Sequence, residues 1–435
     1  MMADSKIKPD SAWSWVVCMA ASVTLTIING SFSSFGLLMP YLMTHFGQNN
    51  VTTAWTGSLY ISLSYIFAPV VTHFTGRLGF RLTALSGALL LSTSFFACSF
   101  IKDFWLFFVF FSITSGLGSA MSHYSATLVV LRHFVRWRFV VVGILASTLS
   151  VGMFVITQIT EALLSKYGLQ NALRGWAFLF LSTVPLACTY ISRSNDTEEI
   201  ARQDEENLKQ PSHDTRRPSL LRNFCFMIYL TSISLVFFSA FIPGIYMVKF
   251  CESELNISME RASLLYTYMA SASFFSNHFF CNLSKFEFKF FDIFELYQLT
   301  TTCFGICLLL LPLARSYSAM VAFSMLFGFM DGGRYGLMPL LVLECVGLKR
   351  TEEAWGYIAF SVGFTSCIGP VIIGFIADSV GRYGPAFLTA GGIFVLGSTL
   401  MFLRELIGGK DSSEENLESG NESFEFLVYE RETVL

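Results

Sequence analysis

Residues 193–222, RSNDTEEIARQDEENLKQPSHDTRRPSLLR, interrupt an otherwise strongly apolar chain and decide how it is organised. The stretch mixes acidic and basic side chains with two prolines, a composition typical of a mobile connection between folded units. Six apolar runs long enough to cross a bilayer precede it, and six follow it. The runs lie near 14–39, 55–74, 82–100, 104–131, 139–163, 176–192, 224–248, 262–283, 297–314, 317–346, 355–377 and 385–403. The sequence therefore predicts two six-helix units joined by a polar loop.

The composition of the whole chain agrees with this layout. Of its 435 residues 53% are hydrophobic and 14% are charged, whereas soluble domains carry about 25% charged residues. Backbone groups in hydrocarbon must be hydrogen-bonded within the chain, so apolar runs of this length are helices. We predict an all-α membrane protein. This class excludes a disordered chain, a secreted disulfide scaffold and a soluble nucleic-acid binder, and the net charge of −3 gives no indication of a nucleic-acid partner.

The distribution of lysine and arginine predicts the orientation. With the N-terminus inside, one set of loops holds twenty of the 28 basic residues and the other set holds seven. Cytoplasmic loops are the more basic ones, so both termini and the central loop are predicted to be cytoplasmic. The predicted units are an N-terminal bundle, a cytoplasmic linker, a C-terminal bundle and a cytoplasmic tail, at residues 1–192, 193–222, 223–403 and 404–435.

No pattern typical of a cofactor, metal or enzyme site is present in the sequence. Nine of the ten cysteines lie in or beside apolar runs, and Cys303 and Cys307 share a helix face without a histidine or carboxylate beside them. Walker, zinc and nucleophile-elbow motifs are also missing. We therefore expect no cofactor, no metal and no enzymatic activity.

Five short segments carry a resemblance. Residues 10–15, Asp-Ser-Ala-Trp-Ser-Trp, open the first run, and residues 53–58, Thr-Ala-Trp-Thr-Gly-Ser, open the second. Residues 132–138, Arg-His-Phe-Val-Arg-Trp-Arg, precede the fifth run. Late in the chain come Phe-Met-Asp-Gly at 329–332 and Gly-Pro-Val-Ile-Ile-Gly at 369–374. Together they resemble signatures of the monocarboxylate transporter family (solute carrier family 16) of the major facilitator superfamily, whose first helix opens with Asp-Gly-Gly-Trp-Gly-Trp.

The resemblance implies a major facilitator fold with 12 transmembrane helices in two six-helix bundles. It implies a plasma-membrane transporter that moves a small organic acid or a related amphipathic metabolite by alternating access, with the lipid bilayer and a single-span ancillary glycoprotein as partners. Proton-coupled members of the family carry a lysine in the first helix and an aspartate and an arginine in the eighth. The corresponding position Ser33 and the corresponding segment 269–278 have none of these groups.

These departures leave three functions open. The first is transport of a monocarboxylate or related metabolite without proton coupling, and the second is proton-coupled monocarboxylate symport. The third is a family member that does not transport and acts as a sensor or scaffold. Uptake measurements at two values of external pH separate them.

The candidate substrate site lies in the tenth run. Asp331 and Arg334 are three residues apart, so they lie on one helical face. Because a charge in the middle of a bilayer costs about 2.5–3.5 kcal/mol on insertion scales, charged residues there indicate a functional site. The resemblance places Asp331 and Tyr335 at positions facing the central cavity. Our functional interpretation is that Arg334 binds a substrate carboxylate and Asp331 holds or releases the arginine. The alternative is a buried structural ion pair, or an arginine that reaches the interface.

Further candidates lie in the first and eighth runs. Asn29 and Ser33 occupy positions that line the cavity in the family, and as neutral side chains they favour an amphipathic or zwitterionic substrate over a lone anion. His278 is a candidate for proton coupling, because histidine titrates near neutral pH. A lone histidine on an apolar helix is more often a packed or hydrogen-bonded residue.

Candidate gate residues lie at the cytoplasmic ends of the runs. Arg77 and Arg81 resemble the basic residues of the facilitator loop that closes the cytoplasmic gate, although Gly76 stands where the acidic partner is usual. Anchoring by the positive-inside rule also explains both arginines. Arg136 lies in the second resembling signature, and Glu344 is predicted to join a gate network with Lys349 or Arg350.

Overall fold

The computed structural model describes residues 10–134, 136–190, 220–283, 293–346 and 350–402, and within these ranges the regular structure is helical. The first bundle contains six membrane-crossing segments. TM1 is Ala12–Phe46, TM2 is Asn50–Ile66 continued by Ala68–Leu78, TM3 is Phe80–Cys98, and TM4 is Phe104–Phe108, the π-helical turn Val109–Thr114 and Ser115–His133. TM5 and TM6 are two helices within Arg138–Leu181 that are separated at Gly168, and Thr183–Ala187 follows them. Gly168 has a positive φ of 74°, which glycine tolerates.

The second bundle repeats the arrangement. TM7 is Phe224–Ala240 continued by Ile242–Leu255, TM8 is Met259–Leu283, TM9 is Ile293–Leu310, TM10 is Tyr317–Val346, TM11 is Thr351–Val380 and TM12 is Gly384–Thr399. The prediction of an all-helical protein with twelve crossings in two bundles is confirmed for the residues described. Most of the predicted linker 193–222 and the whole predicted tail 404–435 lie outside them, so the four domain boundaries stay predictions.

Polar side chains define where several helices begin. The Asn49 carboxamide accepts a hydrogen bond from the Thr52 amide at 2.9 Å at the start of TM2, and the Asp103 carboxylate accepts one from the Leu106 amide at 2.9 Å at the start of TM4. Each satisfies an amide that has no partner within its helix, an arrangement that stabilises a helix by about 1 kcal/mol. Gly47 ends TM1 in the left-handed conformation.

Seven helical stretches of the described chain are long and apolar enough to cross a membrane on their own. TM2, TM8, TM10 and TM12 are not among them. TM8 carries Asn277 and His278, and TM10 carries Asp331 and Arg334. Because polar groups within membrane helices are costly, the helices that keep them are the first place to look for a functional site.

The two bundles contact each other through small polar side chains. Ser150 of TM5 donates to the hydroxyl of Ser273 in TM8 at 3.0 Å, and the hydroxyls of Ser62 in TM2 and Ser366 in TM11 are 3.3 Å apart. Serines allow close approach of helices and provide hydrogen bonds where water is absent. TM5 with TM8 and TM2 with TM11 therefore form the two seams between the bundles.

Two of the resembling sequence segments meet in space. The Asp10 carboxylate accepts hydrogen bonds from the amides of Arg136 at 3.2 Å and Trp137 at 3.4 Å, just before TM5 begins. The rings of Trp15 and Phe134 pack edge to face with centroids 5.0 Å apart. A carboxylate beside a helix N-terminus is favourable because of the helix dipole. Asp10 thus stabilises the start of TM5, and the exposed Arg136 side chain lies over the Trp137 ring.

A set of hydrogen bonds joins the bundles at the end where the charge distribution predicts extracellular loops. The Asn50 carboxamide and the Val51 amide at the start of TM2 both donate to the Asp378 carboxylate at the end of TM11. The Tyr383 hydroxyl donates to the Asn50 side-chain oxygen at 2.8 Å. Burial raises the pKa of the Tyr383 phenol above its ordinary value, so it remains a donor at physiological pH. These groups hold the bundles together at this end, and we call them the outer latch.

Removal of the latch carboxylate is expected to separate the bundles at this end. In the Asp378→Ala variant two hydrogen bonds are lost, at a net cost of about 1–2 kcal/mol because Asp378 is exposed. A cost of that size changes the population of the separated state by about tenfold. A cysteine placed between the bundles by Ser33→Cys should then react about tenfold faster with a membrane-impermeant thiosulfonate added outside.

The matched control is Glu252→Ala, since Glu252 is exposed at the same end and pairs with Lys249 of its own helix at 3.4 Å. That substitution should leave the labelling rate unchanged. Equal labelling rates in the Asp378→Ala variant and its parent would contradict a role for Asp378 in closing this end.

Candidate functional site

The two charges predicted as a pair lie midway along TM10. The Arg334 Nη2 donates to Asp331 Oδ1 at 2.6 Å, so the guanidinium and the carboxylate form a direct ion pair. Among the residues described, no other aspartate, glutamate, lysine or arginine lies in the middle of a span. The others lie towards helix ends or in loops. The prediction that these two side chains pair agrees with the geometry.

The two partners of the pair differ in exposure. The Arg334 side chain is 1% exposed and the Asp331 side chain is 20% exposed. Arg334 Nε and Nη1 are buried and have no hydrogen-bond partner. A buried guanidinium donor without a partner is costly, and such groups are rare in folded proteins. The pair thus joins a partly exposed aspartate to a buried arginine with two donors that have no partner.

Aromatic rings enclose the guanidinium. Its central carbon lies 4.3 Å from the Tyr335 ring centroid, 5.0 Å from that of Phe237 in TM7 and 5.7 Å from that of Phe304 in TM9. Contact between a cation and an aromatic face is worth about 2 kcal/mol when both are desolvated. The rings compensate part of the cost of a buried charge.

Two further tyrosines lie in this region of the second bundle. The hydroxyls of Tyr229 in TM7 and Tyr297 in TM9 are buried, and the Tyr297 phenol lies beside the Arg334 guanidinium. Buried tyrosine hydroxyls usually find a partner. The interior of the second bundle therefore holds several buried polar groups around Arg334.

Glycines let TM8 approach the charge pair closely. A Cβ atom added at Gly332 would lie 2.1 Å from the Ser273 carbonyl oxygen, and one added at Gly328 would lie 2.0 Å from that of Met269. No side chain fits at either position without movement of the TM8 backbone. The two glycines are four residues apart, so they line one face of TM10 and fix its position against TM8.

Substitution of Gly332 is expected to displace TM10. The Gly332→Ala variant places a methyl group against the backbone of Ser273, and overpacking of this kind costs about 1–3 kcal/mol. The melting temperature of the purified protein should fall by several degrees. The matched control is Gly392→Ala in TM12, where an added Cβ meets no atom within 4 Å. Equal melting temperatures for the two variants would contradict this account of the packing.

Asn29 and Ser33 lie in TM1, on the opposite bundle. The Asn29 carboxamide donates to the Thr148 hydroxyl of TM5 at 3.2 Å, and the Ser33 hydroxyl donates to the Asn29 carbonyl at 3.2 Å. Asn29 is buried, and Ser33 is partly exposed. Both side chains are thus hydrogen-bonded within the first bundle, and they give this wall a neutral character.

Two tyrosines of the first bundle were missed in the sequence. The phenol of Tyr65 in TM2 lies within electrostatic reach of Tyr335 and Arg334 of the second bundle, and of Tyr124 in TM4. Tyr65 and Tyr335 are both partly exposed. Phenols within a span are a usable signal, since a tyrosine hydroxyl in hydrocarbon needs a partner.

His278 lies on a seam between the bundles. Its Nε2 is 3.1 Å from the Ser147 hydroxyl of TM5, and the Phe274 ring packs edge to face at 4.9 Å. The side chain is exposed, and it lines an open groove with Phe275, Phe279, Asn282 and Leu283. His278 thus lies at the edge of the TM5–TM8 seam. Within the described residues, it forms no hydrogen bond or ion pair with Asp331 or Arg334.

The candidate gate residues lie at the predicted cytoplasmic ends. Arg77 and Arg81 are exposed and form no ion pair within the described part of the chain. Glu344 is exposed near the end of TM10. Of its two predicted partners, Lys349 lies outside the described residues and Arg350 pairs with Glu353 at 3.3 Å. A gate role for these residues stays a prediction.

Comparison with known proteins assigns the chain to a family. A family model described as the Major Facilitator Superfamily matches residues 21–285 and 296–427, which is most of the chain. The chain belongs to the Major Facilitator Superfamily. Members of this superfamily of the kind matched here are transporters and not enzymes. The protein is therefore a multi-pass membrane transporter, as the sequence predicts.

Within the Major Facilitator Superfamily, the chain is similar to several monocarboxylate transporters. It is 23% identical to monocarboxylate transporter 10 of Danio rerio, over 97% of this chain and 85% of that protein. It is 21% identical to monocarboxylate transporter 12 of Xenopus laevis, over 92% and 91%, and 23% identical to monocarboxylate transporter 2 of Meriones unguiculatus, over 92% and 86%. The predicted resemblance to monocarboxylate transporters is confirmed, at an identity that marks the chain as divergent.

Proposed function

We propose that the protein moves a monocarboxylate or a related small amphipathic metabolite across the plasma membrane by alternating access, without obligatory proton coupling. The observation that carries the proposal is the Asp331–Arg334 pair at the middle of TM10, whose guanidinium has two buried donors without partners. Unsatisfied donors beside a mid-membrane charge are expected where a ligand completes the hydrogen bonding. Transporters of this superfamily bind substrate near the bilayer midplane between their two bundles.

In this proposal each predicted side chain has a role. Arg334 donates to one oxygen of the substrate carboxylate through one of its two donors without partners, Nε or Nη1, in a charge-assisted hydrogen bond. Asp331 holds the arginine when the site is empty, and Tyr335 stacks against it. Asn29 and Ser33 form the neutral wall of the first bundle. Because Arg334 is almost completely buried in this conformation, substrate reaches it only when the surrounding side chains of the second bundle move apart.

Alternating access also requires that each side can be closed in turn. The outer latch of Asn50, Asp378 and Tyr383 supplies closure at the predicted extracellular end. At the cytoplasmic end we propose Arg77, Arg81, Arg136 and Glu344 as gate residues. Both termini lie in the cytoplasm in this scheme, with the bundles bounded at residues 192, 223 and 403. A single-span ancillary glycoprotein is proposed as a partner, by analogy with the family.

Proton-coupled symport is the second candidate. Asp331 is a partly exposed carboxylate at mid-membrane, and protonation of it would free Arg334 for an anion. His278 is the other proposed proton carrier. A protein that does not transport is the third candidate, because segment 269–278 has no charged pair of the kind that proton-coupled relatives carry in TM8.

Uptake of a radiolabelled panel tests the proposal. Lactate, pyruvate, aromatic amino acids, carnitine and creatine are supplied to oocytes that express the protein, at external pH near 6 and near 7.5, and water-injected oocytes give the background. We expect saturable uptake of at least one compound that changes little with pH. Uptake that rises strongly at acid pH would favour symport. Silence across the panel, with protein shown at the surface, would contradict transport of this substrate class.

A further inference from the structure

Two cysteine side chains meet between TM7 and TM10. The Cys225 and Cys345 sulfur atoms are 3.9 Å apart, so they are in van der Waals contact. Both side chains are partly buried, and both are thiols in the structure. A disulfide bond is about 2.05 Å long, so its formation here requires the two sulfur atoms to approach by about 2 Å. The two thiols are therefore close to the arrangement that a disulfide requires.

The two thiols lie at the predicted cytoplasmic end of the second bundle. Cys225 is the second residue of TM7, whose first turn is capped by the Asn223 side chain, which accepts from the Phe226 amide at 3.2 Å. Cys345 is the last residue but one of TM10. A helix N-terminus favours the negative charge of a thiolate, which is the reactive form of cysteine. Cys225 is therefore the thiol that we expect to react first with an oxidant.

The same two helices also touch at the level of the charge pair. The Phe237 ring of TM7 has its centroid 5.0 Å from the central guanidinium carbon of Arg334 and 6.1 Å from the Tyr335 ring centroid. Cys225 precedes Phe237 by twelve residues in TM7. Cys345 follows Arg334 by eleven residues in TM10, so both steps span about 16–18 Å along their helices. Since TM7 begins and TM10 ends at the cytoplasmic side, the thiols lie between the charge pair and the cytoplasm.

A proline lies between the charge pair and Cys345. Pro339 is inside TM10 and has no amide hydrogen, so the helix lacks the hydrogen bond to the carbonyl of residue 335. Sharp bends in helices concentrate at such positions. The segment 340–346, which carries Cys345, can therefore move away from TM7 while the rest of TM10 stays in place. Movement of this kind opens a way to Arg334 from the cytoplasm, because the Phe237 ring packs against the buried guanidinium.

We propose that Cys225 and Cys345 form a reversible disulfide when hydrogen peroxide is present, and that this bond holds the cytoplasmic end of TM10 against TM7. The Cys225 thiolate attacks one peroxide oxygen and becomes a sulfenic acid, and the displaced hydroxide takes up the thiol proton and leaves as water. The Cys345 thiol then attacks this sulfur, and its proton leaves with the hydroxyl group as a second water. Two electrons pass from the thiols to the peroxide. A dithiol reductant restores both thiols by exchange.

The effect of the disulfide on transport rests on the proposed function, whereas its formation does not. Disulfides in the cytosol are usually transient and serve catalysis or redox sensing. This bond joins TM7 to TM10 on the cytoplasmic side of the charge pair and leaves Asp331 and Arg334 unchanged. The oxidised protein therefore keeps its candidate site but cannot open it towards the cytoplasm.

The disulfide is tested on the purified full-length protein. The protein is treated with hydrogen peroxide, its remaining thiols are alkylated, and its peptides are analysed by mass spectrometry. We expect two peptides linked through Cys225 and Cys345, and dithiothreitol should separate them. Hydrogen–deuterium exchange of the amides at 340–346 should slow in the oxidised protein and recover after reduction, because the bond restrains this segment.

Three variants serve as comparisons. Cys225→Ser and Cys345→Ser each remove one sulfur atom, so neither variant should form the link or show slower exchange at 340–346. The matched control is Cys303→Ser, since Cys303 is also partly buried and belongs to the second bundle, but lies in TM9. This variant should respond to peroxide as the unaltered protein does.

Uptake into proteoliposomes tests the effect on transport. A compound that the radiolabelled panel identifies is supplied before peroxide, after peroxide and after dithiothreitol. Uptake by the unaltered protein should fall to the level of empty liposomes in peroxide and return after reduction. Uptake by the Cys225→Ser variant should persist throughout. Uptake that peroxide leaves unchanged, although the linked peptides are present, would overturn the closing role of the disulfide.

The remaining outcomes separate this inference from the proposed function. Absence of the linked peptides from a protein that transports would overturn the inference and leave transport standing. A link that forms only with a copper catalyst, and not with peroxide, would do the same, because it shows proximity alone. If the whole panel is silent, the proposed function fails, and the linked peptides and the exchange at 340–346 still decide the disulfide and its restraint of TM10. Unchanged exchange in the linked protein would overturn that restraint.

Discussion

Replacement of Arg334 by alanine is expected to abolish uptake while protein remains at the cell surface. The variant loses the guanidinium that we propose as the carboxylate anchor. The Asp331 carboxylate left behind is 20% exposed and can take up a proton, so the protein can still fold. Uptake should fall to the level of water-injected oocytes, and surface biotinylation should give at least about half the signal of the unaltered protein.

Two further substitutions sharpen this result. Arg334→Lys keeps the charge but loses the planar fork, and it should restore only a small part of the uptake. Arg174→Ala is the matched control, because Arg174 also lies over an aromatic ring, that of Phe100 at 4.8 Å, yet belongs to the first bundle and the predicted extracellular end. It should leave uptake unchanged. Normal uptake in the Arg334→Ala variant would remove Arg334 from the substrate site.

The largest effect on folding is expected from the opposite member of the pair. In the Asp331→Ala variant the Arg334 guanidinium stays buried without its carboxylate, and arginine cannot lose its proton to escape. Loss of one partner of a buried ion pair costs about 3–5 kcal/mol. We expect the purified variant to melt about 3–6 °C below the unaltered protein and to reach the surface poorly.

The double variant Asp331→Ala/Arg334→Ala removes both charges, so it should fold and express better than either single variant. This follows because no uncompensated charge remains, even though cavities are left. The comparison needs only melting temperatures and surface levels for the three variants. Expression of the double variant that is no better than that of the single variants would argue that Asp331 and Arg334 do not depend on each other.

The position of the pair relates the chain to its relatives. The resemblance places the charged pair of proton-coupled relatives in segment 269–278 of TM8, which here contains neither an aspartate nor an arginine. That segment contacts TM10 through Ser273, whose carbonyl oxygen faces Gly332. Gly332 is the neighbour of Asp331 in sequence. The charges of this chain thus lie one helix away from the expected place, across a backbone contact that only glycine permits.

Much of the fold follows from the sequence alone. The order of the twelve spans was predicted correctly because a bilayer imposes the same length and apolar character on each of them. Helix ends were less accurate. TM2 extends from Asn50 to Leu78, beyond the predicted 55–74, because Asn49 caps it early and its second part, Ala68–Leu78, runs past the apolar run. TM5 and TM6 are separated at Gly168, which lies between the predicted runs 139–163 and 176–192.

The site was predicted less completely, for a physical reason. The spacing of Asp331 and Arg334 predicts that they pair, but not that the arginine is buried and the aspartate is open. That asymmetry depends on Phe237 and Phe304, which approach from TM7 and TM9. Contacts between helices far apart in sequence leave no periodic signal. The outer latch was missed for the same reason, since Asn50 and Asp378 are separated by most of the chain.

We propose that the Asp331–Arg334 pair binds the substrate that this protein transports. The most direct test is uptake into proteoliposomes by the folded double variant Asp331→Ala/Arg334→Ala, next to the unaltered protein at equal amounts and equal melting behaviour. We expect saturable uptake by the unaltered protein and none by the double variant. Saturable uptake of the same compound by the double variant would show that the pair is only a structural element of TM10.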